Sequence, residues 1–125
     1  MTSRATAYAL LFATIGLTVY GQLIFKWRMQ QVGELPPSAL AKTKALLWLL
    51  LDPAIFSGLF AAFAASLCWM VVLTRLPLSE AYPLTALTFV LVVMCSWLAF
   101  NEQVGPWQWV GLSLIVGGLI VGSQR

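Results

Sequence analysis

Four apolar runs, at about residues 5–27, 53–74, 81–100 and 107–123, take up most of this chain and decide what it can fold into. A helix that crosses a bilayer needs about 20 apolar residues. The runs are unbroken stretches of Leu, Val, Ala and Ile. A membrane barrel would instead show short strands of alternating polarity. The expected fold is therefore an all-α membrane protein, with four transmembrane helices in a single compact bundle. Composition leaves little alternative: 61% of the 125 residues are hydrophobic and 9% are charged. A soluble domain carries about 25% charged residues to cover its surface. The first run is too long for the apolar part of a secretory leader and lacks a small-residue cleavage pattern after it, so it reads as a span.

The polar breaks give the order of the elements. Pro36 and Pro37 stop any helix, and Ser38 can cap the next one. Asp52-Pro53 has the form of a second cap followed by a first-turn proline. Residues 38–51 are thus expected to form a short interfacial helix before the second span. One long helix kinked at Pro53 is the rival. The breaks at 75–83 and 101–106 are short, which makes the second, third and fourth spans antiparallel neighbours. Pro83 is expected at the start of the third helix, where a missing N–H does no harm. Trp27, Trp97, Trp107 and Trp109 fall near the predicted edges, as an aromatic belt requires. Trp69 lies mid-span, either lining a cavity or packing against core or lipid.

Charge does not orient the chain. Arg4, Arg75 and Arg125 fall on one side, and Arg28, Lys42 and Lys44 on the other, with Lys26 at its edge. The positive-inside rule needs an excess that these residues do not supply. The net charge of +3 suits anionic lipid headgroups, and no basic array points to nucleic acid. With no histidine, and with Cys68 and Cys95 inside apolar runs, no metal or other cofactor is expected. No nucleophile or acid–base constellation suggests an enzyme.

Thr14, Thr18, Gln22 and Lys26 recur every four residues and form one polar stripe on a helix. Polar groups inside a membrane face protein or water. Lys26 by itself could be an end-of-helix snorkel, and the threonines could bond their own backbone. Snorkelling does not explain Gln22. No carboxylate lies mid-span: Glu80 and Glu102 flank the third helix. That argues against simple proton–drug exchange, which uses a membrane carboxylate of raised pKa. Glu102 suits the dipole of the last helix, with a proton-carrier role as rival. Gly111, Gly118 and Gly122 share a face of that helix and offer a close-packing surface, either between chains or within one.

Three stretches carry a family resemblance. "GQLIFK", "AYPLTALTFVLV" and "FNEQVGPWQWVGLSLIVGGLIVGS" resemble the repeat of the drug/metabolite transporter superfamily. The match covers the first helix and everything from Pro77 onward. It is similar in particular to the small four-helix subunits of the aminoarabinose-phosphoundecaprenol flippase. Asn101 stands where those proteins often have histidine. In the related small multidrug resistance proteins, the defining first-helix glutamate would fall at Thr18. The resemblance implies translocation of a polyprenyl-phosphate-linked aminosugar across a bacterial inner membrane, by a homodimer or by a heterodimer with a second four-helix subunit. Lys26, with Arg28 or Arg75, would then pair with the phosphate, and Gln22, Thr18, Tyr82 and Trp69 would meet the sugar or first prenyl units. Glu80 and Glu102 would be structural or proton-linked. Export of cations and a non-transporting membrane partner are the alternatives.

Overall fold

A proline-free run lets the longest helix, α1 (Arg4–Val32), form without interruption. Gly33 ends it at φ 79°, a left-handed conformation natural to glycine, and donates its N–H to the Met29 carbonyl at 3.1 Å. The computed structural model of the chain describes residues 4–124, so Arg125 lies outside the described residues. Ser38 accepts the Ala41 N–H at the start of α2 (Ala39–Leu49), none of whose residues is buried. Asp52 then caps α3 (Pro53–Arg75), with Pro53 at its first position. Helices α2 and α3 are separate, and the long kinked helix does not form.

The third apolar segment differs from the sequence expectation. It begins at Leu78 and is split into α4 (Leu78–Leu84) and α5 (Leu87–Ala99). Pro83 lies in the second turn of α4 and not at the helix start. Having no N–H, it cannot bond the Ser79 carbonyl one turn back. The chain tightens directly after it: Thr85 and Ala86 donate to the carbonyls three residues earlier, at 3.0 Å each. The last helix is α6 (Pro106–Gly122). Three stretches, Arg4–Val32, Pro53–Arg75 and Leu78–Ala99, are long and apolar enough to cross a membrane, and α6 is a shorter apolar helix. The described residues are helical throughout apart from turns and loops, as a small membrane bundle requires.

The core lies where α1 meets α3 and α4. Ala7, Leu11, Ile15 and Val19 follow the four-residue rhythm of one helical face and are all buried. Val72, Leu76 and Ala81 close over them, with Trp69, Leu84 and Cys95 packed at the edge. Further along, α1 and α3 come together on small residues. A Cβ on Gly21 would lie 3.3 Å from the Gly58 carbonyl oxygen. Ala61 and Ala65 continue this narrow face of α3 and are 5% exposed. Lipid removes the hydrophobic drive between helices, so close backbone approach and dispersion must hold them. By contrast, α6 buries only Leu112. An edge-to-face contact between Trp97 and Trp109, centroids 5.4 Å apart, ties it to α5.

The α1–α3 crossing can be tested at Gly58. A Cβ there would stand 2.6 Å from Phe25 Cε1 and 2.7 Å from Ile24 Cγ2. Gly58→Leu is expected to destabilise the protein by about 1–3 kcal/mol, seen as a lower Tm in detergent or nanodiscs. Gly16→Ala is the control, because its added methyl meets nothing within 4 Å. It should leave Tm unchanged or raise it.

Candidate functional site

The helical repeat and the α1–α3 contact together create a mainly apolar groove with a line of polar side chains along one wall. Thr14, Thr18 and Gln22 form its α1 wall, and Ser66, Trp69 and Met70 stand opposite on α3. The groove holds about 410 Å³, within the range of small-molecule sites. No carboxylate lines it. Thr14 and Thr18 also line a neighbouring cleft of about 300 Å³, whose other side is Tyr82, Pro83 and Phe89. Trp69 and Tyr82 meet edge to face at 6.2 Å and join the two spaces. Thr18, Gln22, Trp69 and Tyr82, named from sequence, are therefore brought together.

The hydroxyls of the stripe have local partners. Thr14 donates to the Leu10 carbonyl at 2.9 Å, and Thr18 to the Thr14 carbonyl at 2.8 Å. Their protons are used within α1, while oxygen lone pairs remain for a donor in the groove. Gln22 is exposed on the same face. Lys26, one turn further, is not in the groove. Its ammonium pairs with Glu102 Oε1 at 2.9 Å. The N–H at the start of α6 goes elsewhere: Gly105 donates to Gln108 Oε1 at 2.9 Å. Glu102 thus does not cap the last helix, and its carboxylate reaches across to α1.

The other cations divide in the same way. Arg28 Nε donates to Asp52 Oδ2 at 2.8 Å, so its charge is met within the protein. Asp52 Oδ1 meanwhile accepts the Ala54 and Ile55 N–H groups at 2.9 and 3.4 Å. One carboxylate therefore caps α3 and ties α3 to α1. Arg75 is exposed at the end of α3 and makes no ion pair among the described residues. At that same end Glu80 takes bonds from both Arg4 and Tyr8. Composition gave no signal for this cluster beyond the presence of Arg4 and Glu80 at one end of an antiparallel bundle. A cleft of about 250 Å³ lies beside it, between Tyr8, Glu80 and Pro83 on one side and Gly118 and Gly122 on the other. Gly111, Gly118 and Gly122 have open space where a Cβ would stand, so packing within this chain does not require them.

The loop carrying Glu102 is shaped by Asn101, at φ 53°. Asparagine accepts this left-handed conformation more readily than other side chains. The Phe100 and Glu102 N–H groups both return to the Ser96 carbonyl, at 3.0 and 3.3 Å. The turn ends α5 and aims the next side chain back at Lys26.

Residues 2–123 match the EamA-like transporter family. The chain is 32% identical over 117 residues to a probable 4-amino-4-deoxy-L-arabinose-phosphoundecaprenol flippase subunit ArnE of Pseudomonas fluorescens, covering 93% of this chain and 96% of that one. It is 37% identical over 116 residues to a probable subunit ArnF of the same flippase from Erwinia tasmaniensis, covering 90% and 91%. A probable ArnF from Sodalis glossinidius is also 37% identical, over 86% of this chain and 83% of that one. No solved structure matches the chain.

The Asp52 corner gives a pH prediction. The hydrogen bond from Arg28, helped by the Ile55 and Ala54 N–H groups, holds the Asp52 carboxyl below its ordinary range despite some desolvation. A depressed folded-state pKa adds stability above the unfolded value and loses it as pH falls through the folded one. Tm should therefore drop as pH falls below about 4. Asp52→Asn should be less stable at neutral pH and lose much of this acid step. An identical acid profile in wild type and Asp52→Asn would contradict the assignment.

Proposed function

Since the chain belongs to the EamA-like transporter family, we propose that it is one subunit of a flippase that carries a polyprenyl-phosphate-linked aminosugar across the bacterial inner membrane. The assembled groove carries this reading. It is an uncharged, mostly apolar groove that carries Thr14, Thr18 and Gln22 along its α1 wall, with Lys26 one turn beyond it. The sugar would lie against Thr18, Gln22, Trp69 and Tyr82, while the prenyl chain stays in lipid. Lys26 would meet the phosphate as a compact point charge. Arg28 would serve the α1–α3 corner instead, because Asp52 already holds it. The groove offers no carboxylate to pair with a cation, and the nearest charge beyond its end is the Lys26 ammonium, which suits a phosphate.

Nothing reacts covalently in such a cycle. The protein shields a headgroup while electrostatic contacts replace its hydration. One four-helix chain offers only an open groove, so a second subunit would close it. Helix α6 is the surface we assign to that contact: it is apolar, buries one residue, and leaves its glycines open. Glycines let a partner backbone approach closely. The named relatives are described as subunits, which agrees with assembly.

Inverted membrane vesicles from cells making the full chain, which retain any partner, test both parts. Gln22→Leu and Thr18→Val remove polar contacts without touching the main core, and each should slow translocation of a labelled lipid-linked aminosugar about tenfold. Wild-type rates in both variants would end the groove assignment. Gly111→Leu should lower cross-linking between subunits while the chain still folds, since its new side chain starts in open space. Unchanged cross-linking would remove α6 from the interface.

A further inference from the structure

We propose that Glu102 is a built-in competitor: its carboxylate holds Lys26 until a lipid phosphate monoanion displaces it. The inference rests on the flippase reading and assigns Glu102 a role that reading leaves open.

The structure contains three ion pairs among its described residues, and they are not equivalent. Asp52 is 18% exposed and holds two backbone N–H groups besides Arg28. Glu80 is 15% exposed and takes both Arg4 and Tyr8. Breaking either would strand a carboxylate that other donors need. The Lys26–Glu102 pair differs: its side chains are 48% and 39% exposed. Among the described residues, the Glu102 carboxylate has Lys26 as its one partner, and Lys26 has Glu102 as its one partner. Either group can return to water at little cost. This pair is therefore the one suited to exchange.

Its placement points to the incoming ligand. Lys26 continues the stripe one turn beyond Gln22, so a headgroup lying in the groove brings its anionic end to that ammonium. A phosphodiester carries one negative charge and replaces the carboxylate one for one. Glu102 sits in a loop of residues 101–105, outside any helix, so its release moves a side chain and not a span. In the resting protein the carboxylate keeps Lys26 neutralised at the bilayer edge, where an unpaired ammonium would attract any anionic lipid. Glu102 then sets a threshold, because every anion must displace it from Lys26.

The test measures equilibrium binding of a labelled undecaprenyl-phosphate-linked aminosugar, a phosphodiester, to the full chain in phosphatidylcholine nanodiscs. Phosphatidylglycerol and inorganic phosphate serve as competing anions. Glu102→Gln removes the competitor and keeps the shape. It should tighten binding of this lipid about two- to fivefold, the size expected for a half-exposed pair. Phosphatidylglycerol should gain by the same factor, because Glu102 opposes every anion at Lys26 alike. In a Lys26→Ala background, Glu102→Gln should produce no gain, because the coupling runs through Lys26. Unchanged or weaker binding in Glu102→Gln, with wild type binding normally, overturns the competitor role and leaves the flippase reading standing. An equal gain without Lys26 also overturns it, since that would be general loop electrostatics. Displacement by millimolar inorganic phosphate as effective as by the lipid would make this a free-phosphate site and overturn the lipid assignment. No binding of the lipid phosphate to wild type would remove the flippase reading and the competitor together.

Discussion

The close approach of α1 and α3 at Gly21 and Gly58 is the constraint from which the rest follows. Gly21 lies so near the Gly58 carbonyl that even one methyl would press on it. With side chains absent at the contact, the two backbones meet, and the walls on either side diverge only slightly. That narrow seam lets Thr14, Thr18 and Gln22 on one helix face Ser66 and Trp69 on the other. The Arg28–Asp52 bond lies beyond the seam and fixes how α3 leaves the α2 corner. Larger residues at the seam would separate the helices and turn the groove into an unshielded surface. In a bilayer, contact of this kind carries what burial from water would supply in a soluble protein.

Much of this was legible in the chain. The four runs, Ser38 and Asp52 as caps, and the every-fourth polar stripe each depend on local chemistry, and local chemistry is written in order along the sequence. The four-residue spacing puts Thr18 and Gln22 on one wall, whereas the meeting of Trp69 with Tyr82 depends on how the helices pack. What was not legible is which charge meets which. Lys26 and Glu102 are far apart in the chain, and so are Arg4 and Glu80; their pairing depends on the stagger of antiparallel helices. Read alone, Glu102 has a structural or proton-linked role and Lys26 stands between substrate contact and snorkel; neither reading names the other as partner. The repeating glycines of α6 draw the eye, yet the close contact within the chain is made by Gly21 and Gly58, one on each of two helices.

The break after Pro83 shows how a local defect becomes useful. The tightened turn at Thr85 and Ala86 directly follows Tyr82, whose ring meets Trp69 at 6.2 Å. The Thr85 hydroxyl bonds the Tyr82 carbonyl, so this exposed part of the turn keeps a partner for its backbone. Polar backbone inside a membrane is tolerated where it lines protein or a cavity. Here it borders the cleft beside Thr14 and Thr18.

The helices also differ in length, and the bilayer must respond. Helix α1, with 29 residues, is about 44 Å long, whereas α6, with 17, is about 26 Å. The hydrocarbon core measures about 30 Å. The long helix has to lean to keep its apolar part covered, while beside the short one the lipid has to compress or draw its headgroups inward. A membrane transporter works against the thickness of the very layer it sits in. A chain that thins this layer along one side shortens the distance over which a polar headgroup must be kept from oil.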